Sequence, residues 1–209
     1  RLLDVRVSDW GYSYSINNIQ LKRLIYYQIP EEERVEIHKE VAKHLEKKYS
    51  SNYKTIMDEL IYHLMSSNQE EKALKYIVED AREEHLYGSQ SILLWEEAYE
   101  IDRALKSEYR IEILKNLGDI YAIKGENDKA LKIYGELFDE AIDFGQVEYA
   151  IIANNGIADI ALKRNLIKLA IEETEWAIKL SKEINNLDLL MQSKLSYNKV
   201  LIDRGKFEE

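Results

Sequence analysis

Histidine, carboxylate and tyrosine are the side chains of this chain that could do chemistry. Cysteine is absent, which removes thiol catalysis, thiolate metal sites and disulfides. The four histidines are His38, His44, His63 and His85. His38 and His44 stand six apart on one predicted helix, on different faces, and do not chelate one ion at that spacing; no His-Glu-x-x-His occurs. For His38 and His63 we expect hydrogen bonds between helices, because a partly buried imidazole readily finds a partner. The carboxylates do not converge on an acid–base pair. Glu31-Glu32-Glu33 reads as a solvated helix start, since adjacent helical residues point apart, and Glu172-Glu173 and Glu208-Glu209 read as exposed faces. Neither Gly-x-x-x-x-Gly-Lys-Ser/Thr nor Gly-x-Gly-x-x-Gly is present, so no phosphate loop is expected. We therefore expect no catalysis, no cofactor and no resident metal.

Fifteen tyrosines are a high count. Tyr26, Tyr27, Tyr62, Tyr76, Tyr99, Tyr121 and Tyr134 sit at helical core spacing, and packing is the expected role for them and for Trp95 and Trp176.

The elements that must position these residues are helices. One proline and eight glycines in 209 residues leave too few turn residues for an all-β fold, and 45% hydrophobic with 33% charged residues suits an ordered chain. A net charge of −10 and the lack of any Lys/Arg run disfavour direct nucleic-acid binding. Apolar runs reach about five residues, as at 149–153, so no membrane span and no signal peptide is expected. The cysteine-free composition fits a cytoplasmic location.

Residues 10–16 alternate apolar and small polar types, which predicts a short strand, and Asn17 and Asn18 are placed to cap a short helix ending near Ile29. Pro30 and the three glutamates open a helix to about Lys48, with Val35, Ile37, Val41, Ala42 and Leu45 as its apolar stripe. Further helices are expected from Lys54 to Met65, from Glu70 to about Tyr87 and from Gln90 to Leu105, with Ser66-Ser67-Asn68 and Gly88-Ser89 as breaks. From Glu108 onward the helix breakers fall on a beat of 20: Gly125, Gly145, Asn165, Asn185 and Gly205. That beat predicts stacked helical hairpins of 40 residues. Leu114, Leu117, Gly118, Tyr121, Gly125, Ala130, Tyr134 and Leu137 form one set; Asn154, Ile157, Ala158, Ala161, Asn165, Ala170, Thr174 and Ala177 form the next, 40 residues on. Small residues at Gly118, Ala130, Ala158 and Ala170 permit close helix approach. The chain begins at Arg1 and ends inside what reads as a repeat, so a piece of a longer chain is expected.

The set Leu117-Gly118-x-x-Tyr121-x-x-x-Gly125-x-x-x-x-Ala130-x-x-x-Tyr134 resembles a tetratricopeptide repeat, with Leu114 at the family's tryptophan position. The period is 40 rather than the family's 34, which implies longer helices, as in extended members. The resemblance implies an all-α, right-handed superhelical stack of antiparallel helix pairs over residues 108–209. It also implies a concave face carrying Glu112, Lys115, Asp119 and Ala122, then Ile152, Asn155, Asp159 and Leu162, then Gln192, Leu195, Lys199 and Ile202. In that family some members clamp a C-terminal carboxylate with Lys, Asn, Asn, Lys and Arg. Lys115 matches, but Asp119, Gly156, Gln192 and Ser196 do not, and that role is rejected.

Upstream, Glu33-Arg34-x-x-x-His38-x-x-x-Ala42-x-x-Leu45-Glu46, Glu59-Leu60-x-x-His63-Leu64 and Asn68-x-x-Glu71-Lys72-Ala73-Leu74-Lys75-Tyr76 are similar to the region after the winged-helix module of the large signal-transduction ATPases, the group of the maltose-regulon activator. This implies three regions: 1–29 as the end of a winged-helix-like module, 30–107 as a helical linker with degenerate repeats, and 108–209 as the repeats. The function implied is non-catalytic: a protein- or peptide-interaction and regulatory segment of a larger signalling or transcription-regulating protein. Its partner is a protein, a peptide or a neighbouring domain of the same chain. A small-peptide receptor of the quorum-sensing type, or an oligomerisation scaffold attached to an enzyme and forming homo-oligomers, stays open beside it.

Overall fold

The computed structural model describes residues 3–8, 11–16, 18–48, 53–84, 89–203 and 205. Among these, a two-stranded hairpin is followed by ten α-helices. Packing divides the chain into two units, Arg1–Ala73 and Leu74–Glu209. The division falls inside a helix.

In the first unit, β1 (Leu3–Ser8) pairs antiparallel with β2 (Gly11–Ile16), from Leu3 opposite Ile16 to Ser8 opposite Gly11. The strand β2 is the expected one. Its partner carries the same alternation in Leu3, Val5 and Val7, which the sequence reading left unassigned. Trp10 and Asn17 lie outside the described residues. The helix α1 (Ile19–Gln28) is capped as expected by Asn18, whose Oδ1 accepts from the backbone N–H of Gln20 at 2.9 Å and of Leu21 at 3.1 Å.

In α2 (Glu31–Lys48) the Pro30 carbonyl accepts the first helical bond, from the Arg34 N–H at 3.0 Å. Glu31, Glu32 and Glu33 are exposed there, opposing the positive end of the helix dipole. The buried face of α2 is His38, Ala42 and Leu45. Ile37, expected in the stripe, is 45% exposed, because it sits one helical step off that face and His38 takes the inward position. A 3₁₀ turn (Tyr53–Ile56) leads into α3 (Met57–Met65). Asn68 turns the chain at φ 54°, and α4 (Glu70–Glu83) then crosses the division between the units. That helix ends earlier than expected; Tyr87, Gly88 and His85 lie outside the described residues.

The second unit continues with α5 (Ser89–Leu105), α6 (Arg110–Lys124), α7 (Asn127–Asp143), α8 (Val147–Lys163), α9 (Ile167–Glu183) and α10 (Leu187–Asp203). Each packs against the next, and α8 also meets α6 on one side and α10 on the other, more closely than α7 approaches α9. The beat of breakers fixes these bounds: Gly125, Gly145, Asn165, Asn185 and Gly205 all have positive φ. The turns close alike, with the N–H after the left-handed residue bonding five residues back: Glu126 to Tyr121 at 2.9 Å, Gln146 to Ala141 at 2.8 Å and Leu166 to Ala161 at 2.8 Å. Gly125→Ala is expected to cost about 1–2 kcal/mol, because φ 75° pushes a Cβ toward the carbonyl, whereas Asn165→Gly is expected to be nearly neutral. Urea unfolding of both variants tests this; equal effects would contradict it.

Ala130, Ala150, Ala153, Ala158, Ala161, Ala170 and Ala177 are buried at the helix crossings, and Leu114, Leu117, Leu137, Ile151 and Ile160 fill between them. Tyr134 is wedged between two glycines. A Cβ on Gly118 would lie 2.8 Å from its Cε1, and one on Gly156 would lie 2.6 Å from its Cε2. Its hydroxyl donates to Asp119 Oδ1 at 2.7 Å. Of the tyrosines expected to pack, Tyr99, Tyr121 and Tyr134 are buried, but Tyr27 and Tyr62 are largely exposed. Trp95 is buried, whereas Trp176 is half exposed; its ring meets the Phe138 edge and Lys179 lies over it. Glu173, expected on an exposed face, is half-buried, and burial followed by the charge of Glu172 raises its carboxyl above the usual range.

A charged knot joins α5, α6 and α7. Asp102, fully buried, accepts from the Ser107 N–H at 2.8 Å and from the Ser107 hydroxyl. The Arg110 guanidinium reaches Asp102 at 3.4 Å, Glu136 at 3.2 Å and Glu140 at 3.3 Å, and lies over the Tyr99 ring. The Tyr99 hydroxyl donates to Glu136; burial, then that bond, pushes its phenol up to about 12.

Candidate interaction groove

The close approach of α6, α8 and α10 leaves an open cavity of about 730 Å³ along their first turns. Glu112, Lys115 and Asn116 come from α6, Glu148, Tyr149 and Ile152 from α8, and Asn186, Asp188 and Leu189 from the start of α10. Helical spacing explains the set: 112, 115 and 116 share one face, as do 148, 149 and 152, and the 40-residue register carries Glu112 onto Ile152, Glu148 onto Asp188 and Tyr149 onto Leu189.

The groove is anionic with an apolar floor. Glu112 is already engaged, accepting from Arg82 Nε at 2.6 Å and Nη2 at 2.5 Å. Lys115 pairs with Asp119 at 3.0 Å. Glu148 and Asp188 are exposed and have no side-chain partner among the described residues. Both stand in the first turn of a helix, where a carboxylate also opposes the helix dipole. Asn186 is held by its own cap, Oδ1 accepting from the Leu189 N–H at 3.1 Å. Ile152 is half-buried and Leu189 buried, so an incoming apolar side chain meets carbon rather than water.

Of the residues expected on the concave face, Lys115 and Ile152 line this cavity, together with Glu112. The others serve differently. Asp119 is taken up by Tyr134 and Lys115. Asn155 ties α8 to α10, its Nδ2 donating to Ser193 Oγ at 3.1 Å. Asp159 faces Lys199 across 3.8 Å, and Leu162 packs against the Ala161, Ala170 and Val200 cluster. Gln192 and Leu195 are exposed on α10, outside the cavity. Asn116, Glu148, Tyr149, Asn186, Asp188 and Leu189 were missed. The signal for four of them was the 40-residue pairing of Glu148 with Asp188 and Tyr149 with Leu189 in the first helical turn.

Among the described residues no group of three or more His, Asp or Glu is placed to hold a metal, and no helix is long and apolar enough to cross a membrane. No family model matches this chain, and no curated protein matches it.

Proposed function

We propose that this chain is a non-catalytic, cytoplasmic interaction and regulatory segment of a larger signalling or transcription-regulating protein, and that its α6–α10 array is a right-handed tetratricopeptide-like stack. Residues 1–29 are, in this reading, the end of a winged-helix-like module. The groove of α6, α8 and α10 carries the proposal, because three alternate helices of the array line one open cavity, as an extended ligand requires. The ligand is a peptide with a basic side chain beside an apolar one. Glu148 and Asp188 are unpaired and attract the cation, while Ile152 and Leu189 take the apolar group. Binding biases the larger protein by favouring one of two arrangements of its parts.

Fluorescence titration of the full chain with short lysine- or arginine-containing peptides tests this. The double variant Glu148→Lys, Asp188→Lys is expected to weaken binding at least about tenfold and to reduce its salt dependence, with the unfolding midpoint lowered only by the lost helix-dipole contacts of the two carboxylates. Binding that ignores peptide charge, or survives the double variant, would sink the proposal.

Exposed Leu187, Met191 and Leu195, each four residues from the next on α10, favour a second reading as an oligomerisation scaffold. Self-association in sedimentation that Leu195→Glu abolishes would select it.

A further inference from the structure

We propose that His38 and His63 form an acid-operated latch that holds α1 on α2 and α3 and releases it when both imidazoles carry a proton. The observation is geometric. His38 Nδ1 and His63 Nδ1 lie 2.8 Å apart, and the Tyr26 hydroxyl lies 2.9 Å from His38 Nε2. Tyr26 belongs to α1, His38 to α2 and His63 to α3, so one chain of hydrogen bonds links three helices.

That chain matters because α1 has little else to hold it. None of its residues is buried, and Ile19, Leu24 and Tyr27 are each more than half exposed. Besides its contact with β2, the side-chain attachments of α1 among the described residues centre on Tyr26. These are the bond to His38, a side-chain hydrogen bond with Tyr62 of α3, and the Arg34 guanidinium 4.9 Å from the Tyr26 ring centre and 5.4 Å from that of Tyr27.

Proton counting sets the switch. A contact between two Nδ1 atoms needs one N–H and one bare nitrogen. With both rings neutral, the Tyr26 O–H donates to His38 Nε2 and the His38 Nδ1–H donates to His63, or the whole chain runs in reverse. A single added proton still fits, because the Tyr26 oxygen then accepts. A second proton sets two N–H groups head to head with no acceptor between them. His38 is 5% exposed, so water cannot take the orphaned donor unless the contact opens.

The groups facing the pair oppose a charge on His38 and partly favour one on His63. Arg34 of α2 repels a proton on His38 and Glu59 of α3 attracts one to His63; the Tyr26 phenol, raised above its ordinary value first of all by burial, and the Tyr62 ring complete the surround through T-shaped ring contacts. Burial, then Arg34, holds His38 below the ordinary imidazole value of 6.5; burial, then His38, does the same for His63 against the pull of Glu59. Folded values below the unfolded one mean that the latch contributes fully above pH 6.5 and is lost as pH falls through the folded values.

Amide hydrogen exchange on the full chain, corrected for intrinsic chemistry, reads the latch directly. Protection of residues 19–28 is expected to fall at least tenfold between pH 7 and pH 4.5, while α6–α9 keep theirs. Tyr26→Phe is expected to lower α1 protection about fivefold already at pH 7 and to flatten its response to acid. His63→Gln keeps a neutral partner for His38 and is expected to retain protection at pH 7 but lose most of the acid response. Unchanged α1 protection at pH 4.5, an acid response equal in both variants to the parent, or a matching loss across α6–α9 would overturn the proposal.

Discussion

Arg110→Leu is expected to destabilise the second unit by about 3–5 kcal/mol, the largest single-residue effect we anticipate. The expectation does not rest on the worth of the ion pairs themselves, since a buried pair replaced as a whole by apolar groups is often neutral. It rests on what remains. Asp102 is fully buried on α5, Glu136 and Glu140 approach from α7, and Arg110 is the cation that touches all three. Leucine leaves Asp102 with only the Ser107 donors and leaves the two glutamates facing it. Arg110→Lys keeps the charge but loses the planar fork that spans three acceptors, and is expected to cost less than the leucine variant yet more than a surface change. Urea unfolding followed by far-UV circular dichroism checks both; a cost below about 1 kcal/mol for Arg110→Leu would mean the knot does not hold α5, α6 and α7 together.

Gly156→Ala is expected to lose stability where helix propensity alone predicts a gain. In an exposed mid-helix site, glycine to alanine gains about 0.5–1 kcal/mol. At Gly156 the new methyl would lie 2.6 Å from the Tyr134 ring, which cannot retreat, because Gly118 bounds its other edge and its hydroxyl is tied to Asp119. Overpacking of this kind costs about 1–3 kcal/mol, which exceeds the propensity gain. Gly135→Ala is the control: it sits inside α7 with nothing within 4 Å of a built Cβ, and is expected to be neutral or stabilising. The cycle with Tyr134→Ala is decisive. That variant alone is expected to cost about 3–5 kcal/mol, and in its background Gly156→Ala must become favourable. A penalty that persists there would place the clash elsewhere.

These two sites show where sequence reading reached and where it stopped. Breakers that need a left-handed backbone are local properties, so Gly125, Gly145, Asn165 and Asn185 located helix ends to within a residue or two. Which face of a helix is covered is decided by its neighbours. Ile37 and His38 are adjacent, and the apolar pattern favoured the isoleucine, whereas the inward place went to the residue with hydrogen-bond partners on α1 and α3. Gly156 offered no local reason for being glycine; its reason is a ring on another helix. Trp176 reads as core by composition, but half of it stays exposed among the described residues. Two thirds of the groove lining was missed for a similar cause. The family-like positions run along the length of each helix, while the cavity takes in only those near the helix start and adds residues from the first turns of α8 and α10.

The even spacing of the left-handed residues also bears on how such a chain can change over generations. Removing residues 127–166 would join Glu126 to Ile167, the first residue of a helix of the same length, and the following turns would stay in phase. Recombination in steps of 40 therefore lengthens or shortens the array without breaking a helix. Tyr134 is the exception. Its counterpart 40 residues on is Thr174, which does not fill the slot opposite Gly118, so an exchange that dropped α7 would leave a hole. The same helix carries Glu136 and Glu140, whose counterparts Trp176 and Leu180 cannot pair with Arg110, so the helix pair around Tyr134 is not traded for its neighbour without cost.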